Sequence, residues 1–88
     1  MGAVRKTIYS PQQECLLKLL REVRIKAGLR QQELAKRLNQ PQSFVSKYET
    51  GERRLDVVEL RQVCLALDIT LTGLVKCFEA ALENKILK

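Results

Sequence analysis

The chain has 88 residues, enough for one core of about five short helices and too few for two independent cores. Apolar residues make up 45% and charged residues 30%, the balance of a folded globular domain rather than a disordered tail. Lys and Arg outnumber Asp and Glu by 16 to 10, which favours an anionic partner, and the absence of histidine disfavours hydrolase triads and most zinc sites.

Residues 1 to 9 carry Arg5, Lys6 and Tyr9 without helical periodicity and are expected to form a flexible basic arm. Residues 10 to 88 are expected to form a single domain. Ser10-Pro11, with Gln13 at capping-box spacing, predicts the start of a first helix. Leu16, Leu20, Val23 and Ala27 fall on one face of it, and Gly28 ends it. A short second helix is predicted from about Gln31 to Leu38, with Leu34, Ala35 and Leu38 inward. Only a tight turn fits between Asn39 and Gln42. A third helix follows from about Gln42 to Thr50, with Val45 and Tyr48 toward the core, and Gly51 stops it.

Glu52 to Leu55 reads as a charged loop. Asp56 with Glu59 is a second capping signature, and Leu60, Val63, Cys64 and Leu67 make the buried stripe of a fourth helix. Thr70 caps the last, where Leu74, Phe78, Leu82 and Ile86 form an apolar ladder reaching almost to the end of the chain. Five helices with no strand pattern and no repeat predict a small all-α bundle.

Cys15, Cys64 and Cys77 are odd in number, lack a C-x-x-C pair and lie among apolar residues, so all three are expected to act as small hydrophobes in a reducing, cytoplasmic setting. No metal or other cofactor is expected. No apolar run reaches the ~18 residues of a membrane span. The Met1-Gly2 start does not fit a myristoylation motif, because Lys6 stands where Ser or Thr is needed.

The charge is unevenly placed. Residues 1 to 54 hold twelve Lys or Arg against five acids, a balance of +7, whereas residues 55 to 88 hold four against five, or −1. One side of the molecule is therefore expected to meet a polyanion, against the plainer reading of a basic surface that serves solubility. The positive half also contains helix, tight turn and helix. In that arrangement the second helix can enter a major groove while the first rests over the backbone. With Val45 and Tyr48 inward, Gln42, Ser43, Ser46 and Lys47 remain on the opposite face. A Gln can pair with adenine, a Lys can reach guanine acceptors, and a hydroxyl can serve a base edge or a phosphate. Gln31 stands at the N-terminus of the second helix, where free N–H groups favour a phosphate.

Residues 16 to 78, through the blocks LRQQELAKRLNQPQSFVSKYETGERR and LRQVCLALDITLTGL, resemble the phage-repressor-type (XRE-like, Cro/CI-like) helix-turn-helix family. The resemblance implies a five-helix lambda-repressor-like DNA-binding domain that regulates transcription, usually as a homodimeric repressor on a near-palindromic operator. It makes Gln31 the backbone clamp; Gln42, Ser43 and Lys47 the base readers; Ser46 a backbone or base contact; and Arg53 a reach into backbone or minor groove. Phe44 falls where relatives place an aromatic at the interface rim, for a thymine-methyl contact or for helix packing. Arg24 and Glu49 take positions the family joins by a buried ion pair.

Two departures from the family are Arg30 and Pro41, which replace small polar caps. Arg30 is expected to favour DNA over folding, and Pro41 compensates by fixing φ at the turn.

The extended last helix is expected to supply a dimer contact through Phe78, Leu82 and Ile86, against the alternative that it folds back on the first and fourth helices. The alternative function is an antitoxin or a restriction-modification controller acting through a protein partner or its own promoter. No glycine-rich phosphate loop, nucleophile with a base, or spaced carboxylate pair appears, so an enzyme is not expected, nor is a small-molecule substrate. A bacterial or phage source is expected.

Overall fold

The computed structural model describes residues 10–87, with side chains through residue 84. The arm expected at residues 1–9 and the Ile86 side chain lie outside the described residues. Five α-helices follow in order: α1 Pro11–Lys26, α2 Gln31–Arg37, α3 Gln42–Thr50, α4 Val57–Ala66 and α5 Leu71–Leu87. Among the described residues there is no strand, no helix long and apolar enough to cross a membrane, and no cluster of three or more potential metal ligands.

Side chains fix most helix starts, which is why these short segments are helical at these positions. Ser10 Oγ accepts from Gln13 N at 3.0 Å, and Thr70 Oγ1 accepts from Gly73 N at 2.9 Å. Asp56 and Glu59 bond reciprocally: Asp56 Oδ1 accepts from Glu59 N at 2.7 Å and Glu59 Oε1 accepts from Asp56 N at 3.0 Å. The two helices of the central motif lack a side-chain cap at Arg30 and Pro41. For α2 the Glu33 carboxylate supplies half of a box by accepting from Arg30 N at 2.8 Å.

Helices α1, α2 and α4 end alike. Residues 28, 39 and 68 take left-handed conformations, with φ of 76°, 55° and 62°, and the next N–H returns to the carbonyl five residues back. Only Gly28 adopts that conformation without steric cost. Asn39 and Asp68 are, among the described residues, the two non-glycine residues in that region, and their short polar side chains make them the types that tolerate it best.

The core centres on Leu20, Leu34, Val45, Tyr48, Val63 and Cys64, all fully buried. Val45 and Tyr48 come from α3 as their spacing predicts, and Val63, Cys64 and Leu67 form the inner stripe of α4. α2 packs most extensively on α3; α3 also sits on α1, and α5 packs against α1 and α4.

Two burial expectations need correction. Ala27 is exposed because α1 closes at Lys26, which leaves Ala27 past the last turn. The buried face of α1 instead includes Cys15 and, one turn after Leu20, the charged Arg24. Cys77 is exposed, since α5 turns Leu74 inward and leaves position 77 at the edge of its contact with α1. Cys15 and Cys64 are buried, and burial pushes the Cys64 thiol above its ordinary pKa.

Candidate nucleic-acid interface

Burying Val45 and Tyr48 decides what α3 shows to solvent. Gln42, Ser43 and Lys47 are exposed and Ser46 is half-buried, so the polar side chains of the helix lie away from the core. Nine residues make a helix ~14 Å long, and the ~10–12 Å diameter of a helix with its side chains matches a major groove ~12 Å wide.

The orientation of α3 is fixed by a buried ion pair. Arg24 donates from Nε to Glu49 Oε2 at 2.7 Å and from Nη2 to Glu49 Oε1 at 3.1 Å, and its Nη1 donates to Leu29 O at 2.8 Å. The two side chains are only 10% and 4% exposed. One guanidinium therefore joins α1, the α1–α2 connection and α3.

The same carboxylate continues outward. Gln31 Nε2 donates to Glu49 Oε1 at 2.9 Å, and Gln42 Nε2 donates to Gln31 Oε1 at 3.4 Å. An ionised carboxylate only accepts, so Gln31 must offer it the NH₂ and turn its carbonyl toward Gln42. Gln42 in turn directs its NH₂ to Gln31. The relay thus runs from a buried charge to an exposed amide, and it leaves the Gln42 carbonyl without a role inside the network. A planar amide with donor and acceptor ordered in this way matches the edge of adenine.

Phe44 is half-buried and meets Tyr48 edge-on, with ring centroids 5.8 Å apart. Of the two readings left open for Phe44, its present contacts are those of helix packing. Tyr48 is fully buried and its hydroxyl has no hydrogen-bond partner among the described residues. Burial, with the Glu49 charge second, holds the phenol well above its ordinary pKa.

Arg53 is less free than the sequence suggests. Its Nη2 donates to Glu59 Oε2 at 2.6 Å and its Nη1 to Glu59 Oε1 at 3.1 Å, while the guanidinium lies 4.7 Å from the centroid of the Phe44 ring. The Glu59 contact was not foreseen, because the capping spacing gives Glu59 a complete role without Arg53. Arg37 also has an unforeseen partner: its Nη1 donates to Ala66 O at 2.8 Å, placing a cation at the C-terminus of α4. Arg54, Arg30, Lys36 and Lys47 are exposed cations on or beside the two-helix motif. On α5, Phe78 and Leu82 are half-buried.

A tight turn between crossed helices, with a buried inner face and a polar outer face on the second, defines the helix-turn-helix class. Comparison with known proteins agrees: a family model described as Helix-turn-helix matches residues 20–74. The chain belongs to the XRE family of helix-turn-helix regulators, a family that implies DNA binding and transcription regulation. A solved structure of an XRE-family like protein from Pseudomonas syringae pv. tomato str. DC3000 is 46% identical to it. The match covers 92% of this chain and 98% of that one, with a TM-score of 0.79.

Two mutants of the restriction-modification controller protein C.Esp1396I share the fold at lower identity. A threonine-to-alanine mutant is 20% identical, with a TM-score of 0.75 over 90% of this chain and 100% of that one. A tyrosine-to-phenylalanine mutant is 22% identical, with a TM-score of 0.74 over 90% and 95%. No curated protein gives a significant match.

Proposed function

We propose that the protein is a sequence-specific double-stranded DNA-binding repressor that acts as a homodimer on a near-palindromic operator. The observation that carries this reading is the outer face of α3, where Gln42, Ser43, Ser46 and Lys47 surround a helix anchored from behind by Arg24 and Glu49. In this reading α3 lies in the major groove. Gln42, Ser43 and Lys47 read bases, Ser46 contacts a base or a phosphate, and Gln31 clamps the backbone while holding Gln42 in register. Phe44 lies at the rim, within reach of a thymine methyl, and Arg53 serves the adjoining backbone or minor groove. Arg24 and Glu49 touch no DNA and act by positioning α3.

Dimerisation is assigned to the apolar extension of α5 through Phe78, Leu82 and Ile86. A closed two-fold assembly would present two α3 helices to successive major-groove faces, which is why a palindromic operator goes with it. Sedimentation equilibrium tests the dimer: a species of twice the chain mass at tens of micromolar is expected, and a monomer with and without DNA would contradict it.

Selection of bound fragments from random duplex DNA, followed by a salt series, tests the function. The expected outcome is a recovered two-fold motif bound at least ~10³-fold more tightly than random duplex, with affinity falling steeply as salt rises. Recovery of no common motif would overturn the reading. The fold likeness to C.Esp1396I favours one variant of it, a restriction-modification controller acting on its own promoter. That variant predicts that the recovered motif lies upstream of the protein's own coding sequence.

A further inference from the structure

The segment after α3 looks basic in sequence, yet its charges balance differently in space. Between residues 52 and 59 stand Arg53 and Arg54 against Glu52, Asp56 and Glu59, so the stretch has no positive excess. Three donations already engage the Arg53 guanidinium: two to Glu59, at 3.1 and 2.6 Å, and one to Arg54 O at 3.0 Å. Its face rests on Phe44 of α3. Glu59 cannot readily swing away, because the reciprocal bonds with Asp56 pin it at the start of α4. The pair is nevertheless near the surface, with side chains 39% and 26% exposed, so a duplex lying along α3 would meet it.

We propose that Glu59 restrains Arg53 and so limits how tightly the protein holds DNA phosphates of any sequence. The inference rests on the DNA-binding reading above and deepens it. With the fork closed, the loop offers a passing phosphate one cation fewer, and it presents a fixed carboxylate beside the phosphate's path. Binding to random duplex comes almost entirely from phosphate contacts, so it reports the loss of one most directly. Glu59 therefore lowers the sequence-independent part of the affinity without touching a base.

The test is a salt series on a random-sequence duplex with wild type, Glu59→Gln, Glu52→Gln, Arg53→Ala and the double variant Arg53→Ala with Glu59→Gln. Glutamine at 59 keeps an acceptor for Asp56 N. Glu52→Gln removes the same charge from an exposed position of the same loop. Glu59→Gln is expected to bind random duplex about five- to tenfold more tightly at low salt, with the log–log salt slope steeper by about 0.9, the increment for one further phosphate contact. Glu52→Gln should change the slope little, and in the Arg53→Ala background Glu59→Gln should no longer steepen it. Glu59→Asp retains the charge but shortens the reach by one methylene, so it should steepen the slope without altering net charge.

An effect of Glu59→Gln no larger than that of Glu52→Gln, or one that persists without Arg53, would overturn the inference and leave the DNA-binding reading intact. Failure of the wild-type protein to bind any duplex would overturn both.

Discussion

Two guanidinium–carboxylate forks flank α3, alike in chemistry and unlike in burial. Arg24 and Glu49 lie behind the helix with side chains 10% and 4% exposed, whereas Arg53 and Glu59 lie at its C-terminal side with side chains 39% and 26% exposed. Burial decides what each can do. A buried pair excludes water and cannot exchange partners cheaply, so it works as a fixed joint. A half-exposed pair contributes little to stability, and its members remain open to competition from another anion. The first fork fixes the orientation of α3, and in the proposal above the second limits how much charge stands beside it.

The largest expected effect tests the joint. Glu49→Ala leaves a buried guanidinium without its carboxylate and also removes the anchor of Gln31, so a loss of about 3–5 kcal/mol is expected in thermal or denaturant unfolding. Arg53→Ala should cost far less, because solvent screens the half-exposed pair. Equal losses from the two substitutions would erase the distinction between the forks.

Next in size are the DNA effects that follow from a well-fixed helix. Lys47→Ala should cost about 1–3 kcal/mol at one base pair of each half-site and relax discrimination there, while Gln31→Ala should weaken all sequences and leave discrimination at the Lys47 base pair intact. A binding titration against single-base operator variants separates the two patterns. Uniform weakening by Lys47→Ala would make Lys47 a phosphate contact.

A smaller effect concerns the residue between the forks. Tyr48 buries a hydroxyl with no hydrogen-bond partner among the described residues, so Tyr48→Phe should leave stability unchanged or raise it by up to about 1 kcal/mol. Clear destabilisation in chemical unfolding would mean that the hydroxyl has a partner in solution.

The smallest effect is one of pH. The Arg53 guanidinium, with the Asp56 N–H second, pulls the Glu59 pKa from its ordinary 4.5 down to about 2. A carboxylate whose folded pKa is depressed stabilises the fold above its unfolded value, and that contribution fades as the pH falls from about 4.5 toward about 2. Side-chain carboxyl NMR should show Glu59 ionised well below pH 4, and Glu59→Gln should remove this part of the acid-unfolding profile. Titration of Glu59 near 4.5 would show the exposed fork to be open in solution.

Much of the fold was legible because it is written in local signals. Ser10, Asp56 and Thr70 mark helix starts by chemistry that acts within three residues, and the inward pair Val45 and Tyr48 fixes the outer face of α3 by periodicity alone. Other features depend on where a chain turns or what lies across a gap. Ala27 and Cys77 fit apolar stripes but fall outside the contacts, one past a helix end and the other at the edge of a helix pair. Asn39 and Asp68 adopt left-handed conformations as the following N–H returns into the helix, an ending that these residue types tolerate but mark less plainly than glycine does. The second fork was hidden for a similar reason. Arg53 and Glu59 are joined across a loop of no fixed period, and Glu59 already satisfied a local role at the cap.

The base-reading role proposed for the outward α3 surface is tested most directly by placing Gln42→Ala and wild type against the selected duplex and all its single-base-pair variants. The relay from Glu49 through Gln31 predicts that Gln42→Ala loses discrimination at one base pair in each half-site and keeps it elsewhere. Retention of the complete wild-type preference by Gln42→Ala would contradict the account.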